Sequence, residues 1–116
     1  MNSSICPFTS VAYKIQSHHE ICVASTQAFD DWIGGIDPGI KNQLLSRLAR
    51  VENGNFGDYK ALAGGVFELR CFFGGGLRVY YTLRGLEVVL LLVGGNKASQ
   101  ASDINKAREL LQSLGE

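Results

Sequence analysis

The chain carries no excess of charge of either sign. Eleven lysines and arginines balance eleven aspartates and glutamates among its 116 residues, so the formal net charge is zero. Proteins that bind nucleic acid by overall electrostatic attraction carry a positive excess. Any phosphate-binding site in this chain must therefore come from local clustering of basic side chains.

Long apolar segments and cysteines are also scarce. No apolar run approaches the ~20 residues needed to cross a membrane, and the amino terminus lacks the basic start and apolar stretch of a signal peptide. We therefore expect a cytoplasmic protein without a membrane anchor. The three cysteines are odd in number and widely scattered, which favours reduced thiols. His18 and His19 have no further ligand at a suitable spacing, so we predict neither a metal nor a cofactor.

The length and the patterns along the chain indicate one folded domain. Residues 1–18 contain scattered serine, threonine and proline that interrupt any periodicity, and we predict that they form an N-terminal extension. Residues 19–116 carry regular apolar patterns and are predicted to form the domain. Its first elements are a strand over 20–24 and a helix capped by Ser25 or Thr26, which ends at Gly34-Gly35.

Capping signals and apolar spacing predict the remaining elements. Asp37-Pro38 is a strong helix start, and Asn53-Gly54 is a typical stop. A strand over 87–93 is apolar on both faces and should be central, and Gly94-Gly95 is expected to break it. A last helix begins near Ser99. The predicted fold class is α+β, in the order β-α-α-β-β-β-α, with an antiparallel sheet packed against helices.

Two runs of alternating residues flank Gly74-Gly75-Gly76, which predicts a β-hairpin. One face of this hairpin is wholly apolar and should belong to the core. Its members are Phe67, Leu69, Cys71, Phe73, Leu77, Val79, Tyr81 and Leu83.

The other face of the hairpin carries one arginine on each strand. If Phe73 lies opposite Leu77, then Arg70 faces Tyr80, and Arg70 and Arg78 lie diagonally on one face. Two guanidinium groups in this arrangement are close enough to bind one anion. The assumed register is essential, because a slip by one residue would send the arginines to opposite faces.

Several motifs together resemble the RelE/ParE superfamily of type II toxins, most closely its phage-derived, HigB-like addiction module killer group. The resemblance covers about residues 20–114. The motifs are Phe29-Asp-Asp-Trp-Ile33, Arg47-Leu-Ala-Arg50, Gly54-Asn-Phe-Gly-Asp58 with Lys60, Gly65-Val-Phe-Glu-Leu-Arg70, Gly76-Leu-Arg-Val-Tyr-Tyr81, and Leu90-Leu-Leu-Val-Gly-Gly-Asn-Lys97 with Gln100, Asp103 and Ile104.

The resemblance implies a toxin held inactive by an antitoxin, which we expect to be a small helix-turn-helix protein. Many members of the superfamily enter the ribosomal decoding site and cut messenger RNA without a metal. Arg78 matches the phosphate-binding arginine of the family, and Lys60 and Lys97 match its basic positions. We accordingly expect Arg78 and Arg70 to stabilise the transition state, with Lys60 or Lys97 moving protons.

Further side chains could contact the RNA substrate or the ribosome. Tyr80, beside Arg70 in the assumed register, could stack on a base or orient a phosphate. Arg47 and Arg50 are expected on the solvated side of the second helix, where they could touch RNA.

The sequence is also compatible with other interpretations. Arg70 and Arg78 could simply pair with Glu68 or Glu87 on a solvated sheet face. ParE-like relatives bind and poison DNA gyrase without cleaving RNA. The chain has no tyrosine or histidine after Lys97, where several ribosome-dependent relatives use one, and this favours the gyrase alternative. A third possibility is an inactive homologue that still binds an antitoxin.

Overall fold

The computed structural model describes residues 21–85 and 88–115. The predicted extension over 1–18, the His18-His19 pair and Glu87 lie outside these residues. The fold class is α+β, as predicted, and the domain contains five strands and three longer helices. The strands are β1 (Cys22–Ser25), β2 (Tyr59–Ala61), β3 (Phe67–Arg70), β4 (Arg78–Arg84) and β5 (Val88–Gly95), and the helices are α1 (Gln27–Gly34), α2 (Pro38–Glu52) and α3 (Gln100–Ser113).

Local capping sets the starts of α1 and α2, as the sequence predicted. The Thr26 hydroxyl accepts a hydrogen bond from the backbone N–H of Phe29. The Asp37 carboxylate accepts from the N–H groups of Gly39 and Ile40, and Pro38 occupies the first turn. These contacts satisfy N–H groups that a helix start otherwise leaves without partners.

The sheet is mixed, so the prediction of an antiparallel sheet is wrong in part. The strand order is β1-β5-β4-β3-β2, with β1 parallel to β5 and the other neighbours antiparallel. The prediction also missed β2, which pairs with β3 at the sheet edge. All three β2 residues are exposed, so this strand lacks the apolar alternation that predicts strands.

Helices cover both faces of the sheet. On one face, α1 and α2 pack over a core that includes most of the apolar hairpin row predicted from the sequence. On the other face, α3 packs over a second and smaller core. Its buried members are Val66, Tyr80, Leu92, Val93, Ala107 and Leu111. The arginine-bearing face of the hairpin is therefore partly covered by α3.

Strand β5 continues through Gly94 and Gly95, where a break was predicted. A Cβ atom at Gly94 would overlap the Trp32 ring, and one at Gly95 would overlap the Asp103 carboxylate. Glycine therefore allows α1 and α3 to approach the strand closely, and does not end it here. Leu83 was predicted in the core, but 43% of its surface is exposed.

The cysteine prediction is also only partly correct. Cys71 is a buried free thiol, and burial raises its pKa. Cys22 is disulfide-bonded, which contradicts the expectation of reduced thiols at every position. Within residues 21–85 and 88–115, no helix has the length and apolar character needed to cross a membrane.

Candidate functional site

Arg70 and Arg78 are direct cross-strand partners in the β3–β4 hairpin. The N–H of Cys71 donates to the carbonyl oxygen of Leu77 at 2.9 Å, so the connection spans residues 72–76. The predicted connection was shorter, and the predicted register was wrong by two residues. A shift of two keeps every side chain on its predicted face, because sheet side chains alternate with a period of two. The arginines therefore share one face but lie directly opposite each other.

Arg70 is the more accessible of the two arginines. Its side chain is 41% exposed, and its Nη2 atom lies 3.2 Å from the Asp58 carboxylate. The backbone N–H of Arg70 also donates to the carbonyl oxygen of Asp58 at 2.9 Å. An exposed ion pair of this kind contributes little to stability, typically ~0–1 kcal/mol. It can still limit the directions in which the guanidinium points.

Arg78 lies deeper, with 13% of its side chain exposed. Its Nε atom is buried and lies 3.8 Å from an oxygen of Glu68. Within the described ranges, no protein group accepts a hydrogen bond from the terminal Nη atoms of Arg78. One edge of the guanidinium thus faces a carboxylate, while the terminal nitrogens remain available to a ligand.

Glu68 is a buried carboxylate on the same face of the hairpin, with 1% of its side chain exposed. Its Oε2 atom accepts hydrogen bonds from the Tyr80 hydroxyl at 3.1 Å and from Nε2 of Gln100 at 2.7 Å. The alternative in which Glu68 pairs with an arginine is observed for Arg78, although the pair is buried and does not lie on a solvated face. Buried charges are tolerated where donors surround them, as they do here.

Tyr80 is fully buried and lies opposite Glu68, not opposite Arg70. The predicted role of stacking on a base is contradicted by this burial, because α3 covers the ring. Burial, and then the neighbouring Glu68 carboxylate, raise the pKa of the Tyr80 hydroxyl. Tyr80 is therefore a neutral hydrogen-bond donor to Glu68.

The two predicted lysines are both exposed. Lys60 on β2 is the cross-strand partner of Glu68. Lys97 follows β5 in a short 3-10 turn, and its Cβ atom lies beside Gly76 at the end of the hairpin. The strand register therefore places Lys60 on the same sheet face as Glu68, Arg70 and Arg78, while Lys97 lies next to the end of the hairpin connection.

Arg47 does not lie on the solvated side of α2, and that prediction is wrong. It is buried, and its Nη1 atom donates to the carbonyl oxygen of Arg70 at 2.8 Å. Its Nη2 atom donates to the carbonyl oxygens of Phe56 at 2.9 Å and Asp58 at 3.2 Å. Because these three hydrogen bonds hold the guanidinium group inside the protein, Arg47 cannot serve as a substrate-binding group.

Arg50 is exposed on α2, as predicted. Together with Phe72 and Phe73 of the hairpin connection, it lines a groove of about 510 Å³. This groove lies beside the hairpin connection, and no hydrogen bond joins Arg50's side chain to the arginine pair within residues 21–85 and 88–115. Contact of Arg50 with RNA stays a prediction.

The described residues contain no group of three or more histidine, cysteine, aspartate or glutamate side chains that could hold a metal ion. The chemistry that the site offers is electrostatic. Guanidinium groups can bind phosphoryl oxygens in a bidentate manner, and nearby ammonium groups can add further positive charge.

Two known proteins resemble this chain, one in sequence and one in fold. No protein-family model matches the chain. A protein of Haemophilus influenzae, described as an uncharacterized protein, is 40% identical over 96 residues, which cover 82% of this chain and 97% of that protein. The chain belongs to the family of this protein. The relative's description does not state an activity.

A solved structure of the E. coli toxin RelE, a mutant in the free state, matches with a TM-score of 0.62. The match covers 78% of this chain and 94% of the RelE chain at 14% sequence identity. The chain has the RelE fold. This confirms the RelE-like architecture predicted from the sequence, while membership of the HigB-like group stays a prediction.

Sequence reasoning missed two side chains that shape the site on this RelE fold. Asp58 stands within a motif that gives no sign of a partner, yet it pairs with Arg70. The sequence around Gln100 likewise gives no sign of a partner, yet its side chain donates to Glu68, which lies 32 residues earlier in the sequence. Side chains alternate along β3, so the sequence does predict that Glu68 and Arg70 share one face. This alternation is the feature of the local sequence that points to the cluster.

Proposed function

We propose that this protein is the toxin of a type II toxin–antitoxin system and that it cleaves messenger RNA at the ribosome without a metal. The observation that carries the proposal is the direct pairing of Arg70 and Arg78 on one face of a RelE-like sheet. The partly exposed Arg70 and the available Nη atoms of Arg78 support binding of a phosphate group.

In the proposed reaction, the ribose 2′-oxygen attacks the adjacent phosphorus while the bond from phosphorus to the 5′-oxygen breaks. The products are a 2′,3′-cyclic phosphate and a free 5′-hydroxyl. Arg78 and Arg70 stabilise the negative charge that builds up on the phosphoryl oxygens in the transition state. One group accepts the proton of the 2′-hydroxyl and another donates a proton to the 5′-oxygen, and we assign these roles to Lys60 and Lys97.

Local charge supports this proposal despite the neutral chain. Lys60 on β2, Arg70 on β3 and Arg78 on β4 carry positive charge on adjacent strands, and Lys97 follows β5, whereas the anionic Asp58 and Glu68 pair with Arg70 and Arg78. A local cationic surface can bind a phosphate even where the net charge is zero, because electrostatic attraction is screened over about 8–10 Å at physiological salt.

The experiment is induced expression of the wild-type protein and of Arg78→Ala, with growth and transcript integrity followed after a short pulse. We expect growth arrest and cleaved transcripts with the wild type. Removal of the guanidinium should reduce cleavage by roughly 10²–10³-fold, the typical effect of losing one preorganised donor. Arg108→Ala is the matched control, because Arg108 lies on α3 and its Nε atom donates to the carbonyl oxygen of the exposed Ala63.

If Arg78→Ala arrests growth and cleaves transcripts as well as the wild type does, the proposed mechanism is wrong. Equal loss in Arg108→Ala would show a general effect of removing an arginine.

A ParE-like action on DNA gyrase is the second candidate. The zero net charge and the absence of tyrosine and histidine after Lys97 favour it. A DNA damage response with intact transcripts after the same pulse would support gyrase as the target. Unchanged growth would instead support an inactive homologue that binds an antitoxin.

The partner in either case is a co-expressed antitoxin, for which a small helix-turn-helix protein is our proposal. We place the toxin in the cytoplasm, where ribosomes and gyrase are found, and assign residues 19–116 to the toxin domain. Co-expression of the neighbouring open reading frame should restore growth and yield a complex on purification. Failure of every neighbouring product to do so would contradict the antitoxin assignment.

A further inference from the structure

We propose that Glu68 is a positioning residue that orients the guanidinium group of Arg78 towards the substrate phosphate. This inference rests on the proposed phosphate site and adds a specific residue to it. Glu68 does not touch the substrate in this proposal, and it acts only through Arg78.

Donors from two structural elements converge on one oxygen of Glu68. The Tyr80 hydroxyl on β4 lies 3.1 Å from Oε2, and Nε2 of Gln100 at the start of α3 lies 2.7 Å from the same atom. Both Glu68 and Tyr80 are buried. The two hydrogen bonds fix the carboxylate relative to β4 and α3, so its position does not depend on a flexible surface rotamer.

The fixed carboxylate sets which edge of Arg78 faces inwards. Nε of Arg78 is buried and lies 3.8 Å from Oε2 of Glu68, which is longer than a hydrogen bond but close enough for strong attraction. Because a guanidinium group is planar and rigid, an inward Nε determines the direction of both Nη atoms. These are the atoms that can bind a phosphate in a bidentate manner.

The same burial argues against Glu68 as a general base. A general base must come within hydrogen-bond reach of the 2′-hydroxyl, directly or through one water molecule. Oε2 is occupied by Tyr80 and Gln100, and the side chain is 1% exposed. Glu68 is therefore placed to hold Arg78 and is shielded from the RNA.

The kinetic test compares Glu68→Gln with the wild type in ribosome-programmed cleavage of a defined messenger RNA. Glu109→Gln is the matched control, because Glu109 lies exposed on α3. We expect kcat to fall by about 10²-fold in Glu68→Gln, as for a small misplacement of a catalytic group, with KM within about twofold of the wild-type value. Glu109→Gln should match the wild type.

A double variant separates positioning from a general structural effect. If Glu68 acts through Arg78, then Glu68→Gln should cause no further loss of kcat in an Arg78→Ala background. Equal losses in the two backgrounds would overturn the inference. If Arg78→Ala itself has full activity, the proposed function has failed, and that outcome is distinct from a failure at Glu68.

A measurement that does not need activity is the NMR signal of the Arg78 Nε–H group. Protein from cell-free synthesis should show slow exchange of this proton with solvent in the wild type. Exchange should accelerate at least tenfold in Glu68→Gln, with the backbone spectrum preserved. An unchanged exchange rate would overturn the inference whatever the cleavage result. If Glu68→Gln does not fold, Glu68→Asp supplies the same test. Aspartate keeps the negative charge, but its side chain is one methylene shorter, so the carboxylate lies farther from Arg78.

Discussion

Arg47 on α2 donates a hydrogen bond to the carbonyl oxygen of Arg70 at 2.8 Å. The contact joins a helix on one face of the sheet to the strand whose arginine side chain points to the other face. The same guanidinium group also binds the carbonyl oxygens of Phe56 and Asp58. Arg47 therefore supports the candidate phosphate site from within the core, and it does so through backbone atoms.

Replacement of Arg47 should destabilise the whole domain. Arg47→Met would remove the guanidinium donor from all three carbonyl oxygens, of which that of Asp58 keeps the N–H of Arg70, and we expect a loss of about 2–4 kcal/mol in the free energy of unfolding. Arg50→Met, at an exposed position on the same helix, should change that free energy by less than about 0.5 kcal/mol. Urea denaturation measures both values, and equal effects would show that the buried hydrogen bonds do not contribute as stated.

Gly57 should tolerate alanine less well than Gly54. Both glycines have positive φ, at +64° and +87°, so alanine is strained by roughly 1–2 kcal/mol at either position. A Cβ atom at Gly57 would also lie 2.9 Å from Nη2 of Arg47, whereas one at Gly54 meets nothing within 4 Å. We expect Gly57→Ala to cost about 1 kcal/mol more, because it disturbs Arg47. Thermal unfolding of the two variants tests this, and equal costs would contradict the close contact.

Glu52 should make the free energy of unfolding fall as the pH rises from about 4 through the raised pKa of its carboxyl group. Its Oε2 atom is buried without a hydrogen-bond partner in the described residues, and burial raises its pKa. The folded state then holds the proton more tightly than the unfolded state. The stability that this proton binding contributes is full below about pH 4 and is lost as the pH rises through the folded pKa.

The Glu52→Gln variant removes this titration. The variant should therefore gain stability relative to the wild type as the pH rises from about 4 towards neutrality. Denaturant unfolding across this pH range measures the difference. Glu109→Gln, at an exposed position, serves as the control, and parallel pH profiles for the wild type and Glu52→Gln would contradict the prediction.

Phe72 should be dispensable for folding. Its surface is 87% exposed at the hairpin connection, so Phe72→Ser should change the free energy of unfolding by less than about 0.5 kcal/mol. Phe29→Ala should cost about 3–5 kcal/mol, because that ring is fully buried. If Phe72→Ser lowers stability as much as Phe29→Ala does, then the Phe72 side chain is not exposed in the folded protein. A loss of growth arrest without a loss of stability would place Phe72 in a contact surface.

Features that depend on neighbouring residues were predictable from the sequence. Thr26 and Asp37 cap helices through backbone groups two or three residues away, so the side chain and its partners lie within one short segment. The alternating hairpin residues likewise determine which side chains share a face. This is why Arg70 and Arg78 were placed on one face even though the register was wrong.

Features that depend on distant pairing were not predictable. The hairpin register differs by two residues because the connection is longer than its glycines suggest. Strand β2 was missed because its residues are exposed and are held by pairing with β3. The helical pattern predicts that Arg47 lies on the surface, yet its hydrogen-bond partners lie 9 to 24 positions further along the chain.

The amino-acid order alone determined where helices α1 and α2 begin, that an arginine stands on each strand of the hairpin, and that both point the same way. Local backbone preferences and the alternation of side chains need no distant contact. The tertiary structure alone decided that Arg70 and Arg78 are direct partners, that α3 buries Tyr80, and that Glu68 faces Arg78. Those relationships require segments far apart in the sequence to meet, and hydrophobic packing across both sheet faces brings them together.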